Sequence, residues 1–294
     1  MEKANRISFH DQIAKNKFYS FLLLLVIFVV LIGIGAIIGL IAGPDYFFTI
    51  LIISIILSLF YIWLGYYYSG KIAIASVGAK PANPKHHKQY YDIVEGLTLA
   101  SGLPMPKLYI MKDENINAFA SGRNPQNSVI CVTTGALNKL NKQELEGVLA
   151  HEISHIANYD IRFMTIATVL VGMIAIISEI FLRSLWIKDE DNKANAILVI
   201  IGILLAILAP ILVQLVQLAI SRKREYSADA SAVKFTRSPT GLINALKKIK
   251  NENQPEKKGK VSKAIAPLFI SDPFLNLLST HPPIEKRIEI LERM

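Results

Sequence analysis

Only one cysteine, Cys131, occurs among the 294 residues, so no intrachain disulfide framework can hold this chain together, and a reducing compartment suits it. That cysteine lies in the apolar run Ser128-Val129-Ile130-Cys131-Val132 and reads as a small buried hydrophobe. Charge is sparse, at 19% Asp, Glu, Lys and Arg, and short of the acidic sign, leaving a net +9. A soluble domain carries about 25% charged residues. The basic residues gather at the ends of long apolar runs, which fits cytoplasmic flanks of membrane spans and argues against nucleic acid as the partner.

Two apolar runs near the N-terminus lack charge almost entirely. Phe18 to Ala42 is about 25 residues long, enough for a helix to cross the hydrocarbon core. It exceeds the apolar stretch of about 7–15 residues of a secretory signal, and a second run, Tyr46 to Tyr68, follows at once. Only Gly43-Pro44-Asp45 separates them, so the two form a hairpin. Gly35, Gly39 and Gly43 repeat at a spacing of four and admit close packing of the next helix. Aromatic residues crowd the far end of the second run (Tyr61, Trp63, Tyr66, Tyr67, Tyr68), as at a membrane–water interface. Further runs cover Phe163 to Leu182 and Asn195 to Ile220; Glu179, Pro210, Gln214 and Gln217 interrupt them, and two buried helices of a soluble core are the other reading.

Orientation follows from Lys and Arg near the span ends. Lys3, Arg6, Lys15 and Lys17 precede the first span; Lys71, Lys80, Lys85 and Lys88 follow the second; Arg222, Lys223 and Arg224 follow the fourth. The first hairpin loop has neither Lys nor Arg. The expected protein is mostly α-helical and multi-pass in the cell inner (plasma) membrane, with four transmembrane helices. Both termini and the active site face the cytoplasm. Its parts are a cytoplasmic segment 1–17, a first transmembrane hairpin 18–68, a first part of the soluble domain 69–160, a second hairpin 161–220 and a second soluble part 221–294.

The soluble parts mix helix and strand patterns. Tyr90 to Ala100 has helical spacing, Lys107 to Met111 reads as a strand, and Asn117–Ala120 with Ser128–Thr133 suggests a hairpin. Asn141 with Glu144 three residues later resembles a capping box, opening a helix through His155. Lys250 to Lys263 reads as a solvated loop.

That helix carries His151-Glu152-Ile153-Ser154-His155, the H-E-x-x-H pattern. Positions i and i+4 share a helical face, so both imidazoles can reach one ion. Glu152 is offset by about 100° and can act as a base toward water activated by the ion instead of ligating it. A catalytic zinc usually takes three protein ligands. A third His six residues on is excluded, because Ile161 stands there. Glu225 is the best candidate, and Asp229, four residues later on the same face, can fix a ligand imidazole through its second N–H. Alone, Glu225 and Asp229 read as a solvated polar face after a membrane helix; beside H-E-x-x-H they read as ligand and support. Continuing helices would put His155 and Glu225 about 12 Å and 8 Å from the bilayer edge, one depth above the headgroups.

Together, His151-Glu152-x-x-His155, Glu225-x-x-Ala228-Asp229, Asn117-Ala118-Phe119-Ala120 and Ser279-Thr280-His281-Pro282-Pro283 resemble the HtpX heat-shock family of membrane proteases, relatives of the CAAX prenyl endopeptidases. The likeness covers nearly the whole chain. It implies a cytoplasmic α+β gluzincin-like metallopeptidase domain, one Zn2+ per chain, and cleavage of unfolded, damaged or misassembled membrane proteins under stress. It also implies that Asn117, Ala118, Phe119 and Ala120 form an edge strand pairing with substrate backbone. His281 would donate to the oxyanion, its other reading being a structural His in a Pro-rich turn. Arg287 would pair with an acidic group of the same cluster. Two alternatives remain at this stage: a CAAX-type prenyl-protein endopeptidase, and a non-catalytic membrane scaffold.

Overall fold

A computed structural model describes residues 9–167, 203–204, 222–252, 268–270 and 282–294. The third and fourth apolar runs fall outside these residues except at 163–167 and 203–204, as do His281 and the part of the expected loop beyond Glu252.

Helix α1 (Phe9–Ala42) and helix α2 (Pro44–Ser76) form the expected hairpin and pack along each other. Gly43, at φ 110°, makes the turn, and Pro44 opens the second helix where a missing N–H costs nothing. A Cβ on Gly35 would run into the Ser54 hydroxyl of α2, so the glycine repeat serves contact within the hairpin. The apolar windows of these helices are 17% and 6% buried, where core helices of a soluble protein would be covered. Phe21, Leu40, Phe48, Ile56, Leu57 and Phe60 all point outward. The second helix continues past the aromatic belt to Ser76, carrying Lys71 beyond the apolar stretch.

A four-stranded sheet follows: β1 (Lys80–Pro81), β2 (Lys107–Met111), β3 (Ala118–Gly122) and β4 (Ser128–Thr133) in the order β1-β2-β4-β3. The hairpin β3–β4 is antiparallel, with Phe119 opposite Cys131, and its turn contains the short 3-10 helix Pro125–Asn127. The pairing of β2 with β4 is parallel and had no sequence signal. Cys131 sits inside β4, fully buried, and burial pushes its thiol pKa up. Beside the sheet lie α3 (Lys88–Ser101), α4 (Thr134–Lys139), α5 (Lys142–Ala157), α6 (Arg222–Thr236), α7 (Thr240–Glu252) and α8 (Ile284–Leu291).

Helix α5 is the axis of the domain. The Asn141 side chain accepts from Glu144 N–H at 2.9 Å, and Glu144 accepts from Asn141 N–H at 2.8 Å, closing the capping box. Every residue from Gly147 to Ala157 is buried, against β3, α3, α6 and α7. Such a helix can carry polar side chains only if each finds a partner. Its closest neighbour is α7: a Cβ on Gly147 would overlap the backbone of Gly241 and Leu242. Gly147→Ala should therefore force the two backbones apart, costing about 1–3 kcal/mol. Thermal unfolding in detergent checks it, and an unchanged midpoint would refute this account of the contact.

Candidate metal centre

Three side chains meet at the middle of α5. His151 and His155, one turn apart, bring their Nε2 atoms to 3.2 Å. Glu225, in the first turn of α6, sets Oε2 3.6 Å from His151 Nε2 and Oε1 3.5 Å from His155 Nε2. One donor atom from each of the three lies within 4.8 Å of the others, and all three residues are buried.

Carboxylates on the far sides of the rings explain why the Nε2 atoms face inward. His151 Nδ1 donates to Asp229 Oδ1 at 2.9 Å, and His155 Nδ1 donates to Asp160 Oδ2 at 3.2 Å. With the proton held at Nδ1, each Nε2 turns a lone pair toward the other ring and toward Glu225. Two lone pairs and a carboxylate converging out of water repel unless a cation lies between them. The donor set thus fits a metal ion. Burial and Arg287 push the His151 pKa down, but hydrogen bonds donated by its ring to Asp229 and Glu225 outweigh them and lift it to about 9. The site favours positive charge.

Arg287, from α8, is fully buried and closes the far side. Its Nε and Nη2 grip Asp229 at 2.9 and 2.7 Å, a bidentate pair, and its Nη1 lies 3.6 Å from Glu225 Oε2. Burial would raise the Asp229 carboxyl, yet Arg287 and His151 together hold it below the ordinary range. Arg287 Nη1 also donates to the Ile270 carbonyl at 3.3 Å.

Glu152 is not one of the three facing donors; beside it lies β3, where the Ala120 N–H donates to its carboxylate. Burial is the main cause that raises its pKa, with Glu225 adding to it against the two histidines and that N–H. Strand β3 is the edge of the sheet, adjoining Glu152. Two of its outward groups already have partners: Ala118 C=O accepts from Ile270 N–H at 2.9 Å, and Gly122 N–H donates to Thr165 Oγ1 at 3.2 Å. Phe119 packs edge-on against Phe269 at 4.9 Å. Asn117 precedes the strand, with Thr133 Oγ1 accepting its N–H at 3.0 Å.

The sequence profile of peptidase family M48 matches residues 84–294. The chain belongs to that family. Proteins named "Protease HtpX homolog" are 44% identical in Thermoanaerobacter pseudethanolicus, over 84% of this chain and 85% of that one, and 46% identical in Dictyoglomus turgidum, over 83% and 82%. The homolog in Listeria monocytogenes is 41% identical over 97% of this chain and 99% of its own. The crystal structure of S. mikatae Ste24p is similar at a TM-score of 0.48 and 20% identity, over 84% of this chain; the match spans 59% of that protein's length.

This M48 member is a metalloendopeptidase acting on polypeptides, and its two long, apolar, mostly exposed helices fit a membrane protein. Of the residues singled out from sequence, His151, Glu152, His155, Glu225, Asp229 and Ala120 come together in the structure, with Arg287 among them. Asp160 was not foreseen. It follows the turn Asn158-Tyr159, in which Tyr159 takes φ 59°. Its distance from His155, five residues, is not a helical neighbour spacing, so only the turn reveals the contact.

Proposed function

We propose that this M48 peptidase is a zinc endopeptidase that cleaves unfolded or damaged membrane proteins at the cytoplasmic surface of the inner membrane. The observation that carries the reading is the inward-facing triad His151, His155 and Glu225. Zinc ligand atoms at about 2.0–2.1 Å in tetrahedral array lie about 3.3 Å apart. The 3.2 Å between the two Nε2 atoms matches that figure, and Glu225 sets one oxygen 3.6 Å from His151 Nε2 and the other 3.5 Å from His155 Nε2. His151, His155 and Glu225 would hold the ion, with Asp229 and Asp160 fixing the two imidazoles. Bound there, zinc supplies Lewis acidity to a water and to the scissile carbonyl.

Glu152 takes the proton of the attacking water and hands it to the departing amine. Its raised pKa makes it a stronger base than an exposed glutamate. His281 is the proposed donor to the oxyanion. Residues Asn117 to Ala120 are the proposed substrate edge: an extended chain laid along β3 takes over the Ala118 carbonyl from Ile270 N–H. Backbone pairing of that kind reads extension rather than side chains, which suits damaged proteins. Four spans, completed by two helices from residues 161–220, put both soluble parts on the cytoplasmic side, as the basic flanks favour.

Detergent-purified protein should cleave β-casein, lose that activity on treatment with a chelator, and regain it with zinc. Absence of cleavage by folded, zinc-loaded protein would favour the narrow substrates of a prenyl-type endopeptidase over this reading.

A further inference from the structure

The first membrane helix reaches into the metal centre. Asn16, four residues short of Ser20 on α1 and at the start of the apolar span Asn16–Leu40, is buried at 3% exposure. Its Nδ2 donates to Asp160 Oδ1 at 2.7 Å and to the Asn158 carbonyl at 3.0 Å. The other Asp160 oxygen, Oδ2, is the one that accepts from His155 Nδ1 at 3.2 Å. One amide group therefore ties together the carbonyl of the residue that caps the motif helix and the carboxylate behind a ligand histidine.

We infer that Asn16 is a positioning residue of the metal centre, acting through Asp160 on His155. It rests on the reading of His155 as a zinc ligand. A carboxylate that orients an imidazole does so only while its own rotation is fixed. Asp160 is wholly buried; among the described residues the cation paired with its Oδ1 is Arg224, whose Nε is 3.9 Å away, beyond a hydrogen bond. The short bond to Oδ1 is Asn16's. Its second bond, to Asn158, pins the turn in which Tyr159 adopts a left-handed conformation, and Lys17 lies 4.7 Å over the Tyr159 ring. The same patch of α1 thus sets both the orientation of Asp160 and the path of the backbone that delivers it. Helix α1 precedes the residues matched by the family profile, 84–294, so a span outside the catalytic domain contributes to its metal site. The consequence is that ion affinity depends on the seating of the first membrane helix.

The test uses full-length protein in detergent micelles. Zinc dissociation constants are measured by chelator competition for wild type, Asn16→Ala, Asn16→Asp and Ser20→Ala, and again for Asn16→Ala in an Asp160→Ala background. Thermal midpoints of the metal-free proteins and the absorption spectra of cobalt-substituted forms accompany them. Asn16→Ala and Asn16→Asp should weaken zinc roughly 10–100-fold, the range found for supports of ligand histidines. Both should perturb the cobalt spectrum. Ser20→Ala, whose hydroxyl donates to the Asn16 backbone carbonyl within α1 and not to the amide side chain, should leave both unchanged. Once Asp160 is gone, removing Asn16 should cost no further affinity. Wild-type zinc affinity in both Asn16 variants would overturn the inference, as would an equal loss with or without Asp160, or earlier melting with unaltered affinity. If the wild type bound no zinc, or His155→Ala left binding intact, the ligand assignment itself would fall, and the inference with it.

Discussion

Glu152→Gln is expected to lower the turnover of β-casein by roughly 10²–10⁴-fold, the usual weight of a positioned general base. The substitution keeps the volume of a wholly buried side chain and removes only its ability to take a proton. Glutamine can still accept the Ala120 N–H that now meets the carboxylate, so the edge of β3 should stay in place. Zinc content and the thermal midpoint should stay within error of the wild type, because Glu152 is not among the three facing donors. Retained cleavage would remove Glu152 from the mechanism. Lost cleavage together with lost zinc would instead make Glu152 part of the ion's own support.

Arg287→Leu should act on folding and metal together. The guanidinium is fully buried and is the bidentate partner of Asp229, which in turn holds His151. Removing it leaves the Asp229 carboxylate buried without its cation, a change that costs about 3–5 kcal/mol for pairs of this kind. It also releases the Ile270 carbonyl, freeing the segment that covers β3. Loss of most of the folded protein at growth temperature, or a large drop in the midpoint, is the expected result. Arg287→Lys restores charge but not the two-pronged grip, and should recover only part of the stability. A leucine variant as stable as wild type would show that the pair contributes little net energy and that Arg287 serves orientation alone.

Asp160 and Arg287 show where sequence reading stops. Spacing four residues apart on one helix is enough to foresee that His151 and His155 share a face, and the same rule pairs Glu225 with Asp229. Those are local facts of a 3.6-residue period. Whether Asp229 serves His151 or His155 depends on how α5 and α6 cross, and it is His151 that it meets. The partner of His155 comes from a left-handed turn at Tyr159 and is steadied by Asn16, 144 residues away.

By itself, then, the sequence determined the apolar hairpin, the capped motif helix, the strand at 107–111, the β3–β4 pair and the nature of the chemistry. Each rests on periodicity or on a short motif whose physics is contained within a few residues. The tertiary structure alone decided the parallel pairing of β2 with β4, the seating of Arg287 between two acidic groups, and the covering of β3 by Ile270. It also brought the first membrane helix to the metal centre. These contacts join segments far apart in the chain, held there because a fully buried polar helix must find every partner it needs from whatever packs against it.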